Sequence, residues 1–577
     1  MAPARAADLV RVAALQIGRT RMFDLLIKSA RVVDGTGMPS FTADVGVQAG
    51  RIACVGRIDD AATRVIDADG LVLTPGFIDV HTHYDAQLDW DPTASPSSWH
   101  GVTTVLAGNC GFTLAPARVG DTDWLAQMLS RVEGMSVETL TEGLRWTGGG
   151  FGDFWRRLEG RVGVNVGSYV GHSAVRRHVM GDDASRRPAH ADEIGQMQAL
   201  VRQAMREGAL GFSSSQLDIH VAHDGREVPS NFAAPEELIA LCAVLAEFGR
   251  GAVEFIPRSF VEGYDAADRE LIRAMARVSG RPVELNTLTP LPAAPDGWER
   301  SLAFAREGFA EGLRLHPMFP TNKLGAHFAL DTTFLFDEMP SFRAALTLPP
   351  AERARALRDP AVRERMRAEL ADPTGRAFVF IWQICMIEAV RDAAHAGWVG
   401  RSVSDLAEER GADPLDTFLD LALSEDLQTQ FVVEMPPGQT FDDMITTLLR
   451  DPIVMAGSSD AGAHLLSFVG ADYTTRLLGE WVPRALSLEA AVARLTMFPA
   501  MVHGLTDRGV IRPGAAADLV LFDPTRLRAG AARLVRDFPA GSPRFVVDAE
   551  GYQAVIVNGE VLLENGIHTG ALPGQLI

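Results

Sequence analysis

Two histidines one residue apart are the first feature of this sequence that could do chemistry. His81 and His83 lie in the stretch PGFIDVHTHYDAQ, directly after an apolar run at residues 77–80. Residues two apart in a β-strand point to the same face, so both imidazoles could bind one metal ion. Two structural histidines remain the alternative, because this spacing is common.

Two further residues follow apolar, strand-like stretches and carry groups that act in metal sites. Cys110 follows GVTTVLAGN, and its thiolate would suit Zn²⁺, although a free cysteine is as often a small buried hydrophobe. Asp460 follows PIVMAG, and an aspartate beside a metal ion can act as ligand, general base or both. These residues predict a metal site assembled from three separate strands.

The elements that would position these residues alternate along residues 76–500. Strand-like stretches such as VGVNVGSYVG, GAVEFIP and PVELNTL are separated by helical ones such as PEELIALCAVLAEFGR. This alternation predicts a parallel α/β architecture whose length suits a (β/α)₈ barrel, with functional side chains at the carboxyl ends of the strands. The charged segment 334–374 is predicted to be a helical insertion in that barrel.

The two ends of the chain share a different pattern. Residues 22–75 and 501–577 are β-rich, and the Asn558-Gly559 pair indicates a hairpin. Chain ends often lie close together, so these segments are predicted to form one small β-sandwich. Residues 1–21 lack the features of a signal peptide and are predicted to be an N-terminal extension.

The composition of the chain bears on its binding partners and on its location in the cell. The formal charge of −20, from 54 basic and 74 acidic residues, argues against nucleic-acid binding. No apolar stretch approaches the roughly 18–20 residues that span a bilayer. The four cysteines are widely scattered, which favours a reducing cytoplasm over a disulfide framework. A monomer and a homo-oligomer are both compatible with the sequence.

Six stretches, in this order along the chain, resemble the amidohydrolase superfamily and, more narrowly, its D-aminoacylase branch of N-acyl-D-amino-acid deacylases. They are DLLIKSARVVDGTG, ADGLVLTPGFIDVHTH, GVTTVLAGNCG, EGALGFSSS, GSSDAGAH and LTDRGVIRPGAAADLVLFDP. The resemblance implies a distorted (β/α)₈ TIM-like barrel, a small β-sandwich and a zinc site that hydrolyses an amide. It also implies that His81, His83 and Cys110 are metal ligands and that Asp460 is both ligand and general base.

The chain departs from this branch on two middle strands. D-aminoacylases place one histidine on each for a second metal ion, whereas this chain has Ile256 and Thr287 there. Glu254 shares a face with Ile256 and could supply an oxygen ligand, while Asn286 should point away from the face of Thr287 in a regular strand. We therefore predict one zinc ion, with a two-metal site as the alternative.

Other amidohydrolases bridge two metal ions with a carboxylated lysine, and this chain has no match for it. Its lysines are Lys28, in the predicted sandwich, and Lys323, which stands at a different place in the sequence. The absence of a matching lysine is a second argument for one metal ion.

Five further residues are predicted to line the substrate pocket. They are His172, His220, Glu254, Asn286 and His316. The predicted activity is cleavage of the amide bond of an N-acyl amino acid, a small-molecule substrate, by a metal-activated water. Two alternatives remain: the same fold acting on another amide, a cyclic amide or a lactone, and a barrel without catalytic activity.

Overall fold

The computed structural model describes most of the chain. The described residues are 22–223, 225–291, 294–322, 325–331, 333, 335–372, 374, 376, 379–434 and 439–577. The predicted N-terminal extension at 1–21 and the predicted position of Lys323 lie outside the described residues.

Both ends of the chain enter one sheet of nine strands. The first described strand, Phe23–Val32, pairs with three other strands, and Leu519–Phe522 from the far end pairs antiparallel with Val72–Pro75. The apolar side chains of Ile27, Leu521 and their neighbours form a separate core beneath this sheet. The remaining strands are Phe41–Gln48, Arg51–Gly56, Ala62–Asp67, Tyr552–Val557, Glu560–Glu564 and Ile567–His568.

The middle of the chain forms two parallel sheets. Their strands are fully buried, as expected where helices cover both faces. The three-stranded sheet contains Phe77–Asp79, Val102–Ala107 and Asn165–Ser168, in this order. The six-stranded sheet has the order Met455–Ala456, Leu315–Phe319, Val283–Leu285, Ala252–Ile256, Gly211–Ser215 and Val170–Gly171.

The sheets are not joined into one hydrogen-bonded cylinder. They approach each other at two places: Tyr169 alone separates the strands Asn165–Ser168 and Val170–Gly171, and Thr82 forms an isolated parallel bridge with Ala461. The parallel α/β organisation predicted for the middle of the chain is present, and a closed barrel is not shown by the strand pairing.

Helices follow most of these strands. Ala266–Ser279 shows how the sequence sets such a helix: the Asp265 side chain accepts the Asp268 N–H at 2.8 Å, and Gly280 ends the helix at φ +59°. None of the described helices has the length and apolarity to cross a bilayer. The other helices are Thr122–Val132, Val137–Gly143, Phe151–Arg156, His172–Met180, Ala191–Arg206, Pro235–Ala243, Gly297–Ala310, Gln439–Arg450, Tyr473–Glu480, Leu488–Leu495 and Met497–His503. Short 3₁₀ helices lie at Gln87–Asp89, Ser97–His100, Asn109–Gly111, Gly181–Ser185, Pro229–Phe232, Val244–Glu247, Ala393–Trp398 and Pro539–Gly541.

The insertion is larger than the sequence indicates. The segment predicted at 334–374 does contain helices, but they pack with residues up to 431 in one separate core. Phe336 is fully buried there and stacks on Phe380 with ring centroids 4.2 Å apart. The helices are Pro340–Leu346, Pro350–Arg358, Pro360–Ala371, Val403–Arg410 and Pro414–Ser424, and the antiparallel strands are Gly325–Phe328, Gln430–Glu434 and Cys385–Ala389.

Candidate active site

His81, His83 and Cys110 meet at the carboxyl ends of two neighbouring parallel strands. The histidines follow Phe77–Asp79, and Cys110 lies in a tight turn after Val102–Ala107. Cys110 Sγ lies 3.4 Å from His81 Nε2 and 3.8 Å from His83 Nε2. All three side chains are buried, and one donor atom from each lies within 4.8 Å of the others. The sequence-predicted trio is therefore brought together in space.

Asp460 completes the group from the last parallel strand. Its Oδ1 lies 3.1 Å from His81 Nε2 and 3.6 Å from His83 Nε2. Burial alone would raise the pKa of Asp460, but hydrogen bonds from His81 and His83 hold it well below its ordinary value. Burial lowers the pKa of His81, yet the carboxylates of Asp460, Glu254 and Asp79 together more than offset this and raise it. Asp460 is therefore an ionised carboxylate facing both imidazoles.

Two of these residues have an uncommon backbone conformation. Cys110 has φ +56° and Asp460 has φ +50°, in the left-handed region that side chains other than glycine seldom adopt. Such conformations cost free energy and concentrate at functional sites. Both residues are thus placed by turns that favour the site over local backbone stability.

The donor set fits a zinc ion. Two imidazole nitrogens, a thiol and a carboxylate form the mixed nitrogen, sulfur and oxygen set that Zn²⁺ prefers, whereas Mg²⁺ and Ca²⁺ prefer oxygen alone. Burial, with Glu254 and Asp460 nearby, raises the pKa of the Cys110 thiol well above its usual value. A cation bound at this point would offset these negative charges and favour the thiolate, so the residues present fit the metal.

Glu254 lies beneath His81, His83, Cys110 and Asp460, which together are called the candidate metal-binding group. Its side chain is fully buried, and Oε2 accepts the backbone N–H of Cys110 at 2.8 Å. Its other oxygen lies 3.9 Å from His81 Nδ1. Burial, more than any other cause, raises the pKa of Glu254 to about 8. Glu254 thus contacts the segments that carry His81 and Cys110.

Asn286 points towards the site, contrary to the expectation from strand alternation. Its side-chain nitrogen lies 3.4 Å from His81 Nε2, and its Oδ1 accepts the Ser458 hydroxyl at 2.8 Å. The expectation was wrong because the strand Val283–Leu285 ends before Asn286, so the alternation no longer applies. Thr287 also lines the cavity.

A cavity of about 120 Å³ opens beside these residues. Its lining combines the metal-binding group with polar side chains and with a set of apolar ones. The polar residues are His83, Cys110, Glu133, His220, Asn286, Thr287, Asp460 and His464, and the apolar ones are Phe112, Val132, Leu217, Ile256 and Phe260. The apolar side chains limit the access of water to the polar side chains of the lining.

His220 is a half-buried imidazole in this lining. Its Nδ1 lies 3.1 Å from the Ser215 hydroxyl, and its ring contacts Phe112 edge-on at 5.1 Å. Burial lowers the pKa of His220 to about 3, with His464 and His83 adding to the effect. A neutral imidazole at this place can exchange a hydrogen bond with a bound substrate.

His172 and His316 are placed away from the cavity lining. His172 begins the helix His172–Met180, and its Nε2 lies 2.8 Å from Glu237 Oε1 behind the strands. His316 is the second residue of Leu315–Phe319, so it lies near the opposite end of its strand from the metal-binding group. Its Nδ1 is 2.9 Å from the carbonyl oxygen of Ile453. The structure thus contradicts the expectation that these two histidines line the pocket.

The partner of His172 is a buried carboxylate that also pairs with a buried arginine. Glu237 contacts both His172 and Arg176, and all three side chains are almost fully buried. Glu237→Ala would leave the Arg176 charge unpaired, so we expect a loss of about 3–5 kcal/mol in the free energy of unfolding, measured by urea titration. Asp296→Ala, which breaks an exposed pair with Arg300, serves as the control. Equal losses in the two variants would contradict this expectation.

Glu133 is a site residue that sequence reasoning missed. It follows the helix Thr122–Val132, is 2% exposed, and places Oε1 3.1 Å from His83 Nδ1. Burial, and then the charge of Asp460, raise the pKa of Glu133 well above its ordinary value. Its position after a helix gives no strand-end signal, and the glycine that follows it is the only local indication of a turn.

The chain is similar to known proteins over most of its length. A model of the Amidohydrolase family matches residues 64–563. An N-acyl-D-aspartate deacylase of Alcaligenes xylosoxydans xylosoxydans is 30% identical over 96% of this chain and 95% of its own length. A solved structure of D-aminoacylase, described for its binuclear metal centre, has 27% identity and a TM-score of 0.65 over 96% of this chain and 99% of its own. An N-acyl-D-glutamate deacylase of Bordetella bronchiseptica, solved with zinc and a phosphonate inhibitor, has 26% identity, a TM-score of 0.65 and the same coverage.

The family match covers most of the chain, and the similarity to the deacylases extends over nearly all of it. The chain therefore belongs to the amidohydrolase family. The predicted resemblance to the D-aminoacylase branch is confirmed, as is the expectation of a hydrolase that acts on carbon–nitrogen bonds.

Proposed function

We propose that this protein is a zinc-dependent hydrolase that removes the acyl group from an N-acyl amino acid. The observation that carries the proposal is the convergence of His81, His83 and Cys110 with the ionised Asp460 beside an open cavity. The similarity to N-acyl-D-aspartate and N-acyl-D-glutamate deacylases supports this substrate class. The zinc in the Bordetella structure supports the metal.

The architecture we propose for this function is one distorted (β/α)₈ barrel formed from the two parallel sheets. If the two segments beside Tyr169 are taken as one strand, eight parallel strands remain, and the Thr82–Ala461 bridge lies where the ends of the sheet would meet. The barrel would span residues 76–500, with the insertion, and residues 22–75 and 501–577 would form the β-sandwich. The position of His81, Cys110 and Asp460 at the carboxyl ends of parallel strands supports this arrangement.

One metal ion is the proposed stoichiometry. Ile256 and Thr287, which line the cavity, cannot replace imidazole ligands, and Glu254 is directed towards the Cys110 backbone. His81, His83, Cys110 and Asp460 would hold the ion. A second ion remains the alternative, since the D-aminoacylase structure is described for a binuclear centre with one-metal activation.

The residues of the chain have separate roles in the proposed hydrolysis. A bound zinc ion supplies a Lewis acid and lowers the pKa of water from about 15.7 towards 7. Asp460, ionised and facing the cavity, accepts a proton from the attacking water and delivers it to the leaving nitrogen. His220 and Asn286 offer hydrogen bonds that orient the substrate, and Phe112 and Ile256 restrict the access of water.

The test of this proposal combines substrate profiling with metal removal. We expect the zinc-loaded protein to release free amino acid from N-acetyl-D-amino acids, to lose this activity after dialysis against a chelator, and to regain it with Zn²⁺. The N-acetyl-L-amino acids serve as the control for chirality. Full activity of the metal-free protein would contradict the proposal.

The alternative substrates are resolved by the same assay. Because Ile256 and Thr287 change the cavity lining, cyclic amides and lactones belong in the panel. Hydrolysis of these compounds alone would favour the remodelled pocket over a deacylase. No turnover by a zinc-loaded protein would favour a barrel without catalytic activity.

Two expectations from the sequence remain predictions. The cytoplasmic location agrees with the four cysteines, all of which are free. A homo-oligomer and a monomer are distinguished by sedimentation of the purified protein.

A further inference from the structure

A buried carboxylate outside the parallel strands lies against one of the two metal-facing histidines. Glu133 Oε1 is 3.1 Å from His83 Nδ1, and both side chains are almost fully buried. Both atoms lack a hydrogen bond of good geometry to any described residue, each other included, so at 3.1 Å the pair is close but not aligned. Buried polar atoms without partners are costly, so this juxtaposition requires an explanation.

The position of Glu133 excludes it from the metal-binding group itself. The donor atoms that meet are His81, His83 Nε2 and Cys110, whereas Glu133 lies on the Nδ1 side of the His83 ring. A metal-bound histidine commonly donates its other ring N–H to a carboxylate, which fixes the ring orientation and its tautomer. Glu133 has the distance and the burial for this role.

The backbone around Glu133 is joined to the loop that carries Asp460. The Glu133 carbonyl oxygen accepts the backbone N–H of His464. Gly134 has φ +65°, and a Cβ at this residue would lie 3.5 Å from the His464 Cα, so the turn approaches that loop closely. The carboxylate that contacts His83 is therefore held in place by the segment that also places Asp460.

Glu254, the other buried carboxylate near the histidines, has a different set of contacts. It accepts the Cys110 N–H at 2.8 Å and lies 3.9 Å from His81 Nδ1, beyond hydrogen-bond distance. Glu133 is the carboxylate within hydrogen-bond distance of a ligand ring.

We propose that Glu133 is a positioning residue that holds His83 with Nδ1–H towards its carboxylate and Nε2 towards the metal ion. This inference rests on the proposed metal site. It adds a residue that the sequence pattern of the family's strand ends does not predict, and it gives the turn after the helix Thr122–Val132 a role in metal affinity.

The test measures zinc affinity by competition with a chromophoric chelator, independently of turnover. We expect Glu133→Ala to weaken Zn²⁺ binding by about 10–100-fold, the usual effect of removing such a partner. Glu133→Gln keeps an oxygen that can accept the Nδ1–H, so an intermediate loss is expected. The thermal unfolding midpoints of the metal-free variants serve to show that both still fold.

Glu388→Gln is the matched control. Glu388 Oε2 lies 2.9 Å from His327 Nδ1 in the antiparallel sheet of the insertion, so this variant removes a carboxylate from a histidine elsewhere in the protein. We expect its zinc affinity to equal that of the wild type.

The outcomes separate this inference from the proposed function. If the wild-type protein binds no zinc, the proposed function fails. If the wild type binds zinc and both Glu133 variants bind it with an affinity within twofold of the wild-type value, only the positioning role is overturned. The same conclusion follows if Glu388→Gln weakens zinc binding as much as the Glu133 variants do. In a Co²⁺-substituted protein, an altered visible absorption spectrum in Glu133→Gln would support a changed ligand geometry.

Discussion

Replacing Asp460 with asparagine is expected to lower kcat for N-acyl amino acid hydrolysis by about 10²–10⁴-fold, the usual contribution of general acid–base catalysis. Asparagine keeps an oxygen near His81 and His83 but cannot accept the proton of the attacking water. The two imidazoles hold the pKa of Asp460 well below the ordinary value, so its carboxylate is ionised and free to accept a proton. Zinc content by mass spectrometry is expected to stay near that of the wild type.

The control for this change is Asp523→Asn. Asp523 caps a surface turn by accepting the N–H and hydroxyl of Thr525, far along the chain from the metal-binding group. We expect its kcat to be unchanged. An Asp460→Asn variant that retained zinc and lost less than about tenfold in kcat would rule out Asp460 as the general base.

The convergence of His81, His83, Cys110 and Asp460 could be predicted from the sequence because these residues follow parallel strands. The carboxyl ends of such strands meet at one edge, so His81, Cys110 and Asp460 converge although they lie far apart in the sequence. Each follows a short, buried apolar run with a recognisable composition. At these positions the local sequence pattern predicts a strand end, and the parallel arrangement of the strands brings those ends together.

The remaining parts of the site depend on where elements end and which way side chains turn. Asn286 reaches His81 because its strand stops one residue earlier, a boundary that alternation does not fix. His172 turns towards Glu237 because it begins a helix, and His316 lies near the wrong end of its strand. Glu133 belongs to a turn whose position is set by packing against a distant loop.

The sequence pattern also did not predict how many residues pack together with the segment 334–374. The charged helices at 334–374 are recognisable, but their buried faces pack against residues that follow much later, up to 431. Phe336 and Phe418, for example, contact each other with ring centroids 6.0 Å apart. Such long-range pairing is set by packing complementarity, which a local pattern does not contain.

Replacing His81 with alanine is expected to have the largest effect of all, with loss of both stoichiometric zinc and activity. His81 is fully buried, and its Nε2 lies within 3.4 Å of Cys110 Sγ and 3.1 Å of Asp460 Oδ1. Without this imidazole, Cys110 and Asp460 would have one fewer neighbouring metal ligand. The pKa of Asp460 would also rise, because a hydrogen bond that lowers it is lost.

The measurement is zinc content after gel filtration together with turnover of an N-acetyl-D-amino acid. His316→Asn provides a matched control, because His316 is also a buried strand histidine but contacts the Ile453 carbonyl and not the metal-binding group. We expect the control to lose stability and to retain its zinc, since deleting a buried hydrogen bond costs about 1–3 kcal/mol wherever it lies. If His81→Ala kept a full equivalent of zinc, or if His316→Asn lost as much zinc as His81→Ala, the metal site would have to lie elsewhere. A loss of zinc in His81→Ala alone would place the ion where His81, Cys110 and Asp460 meet.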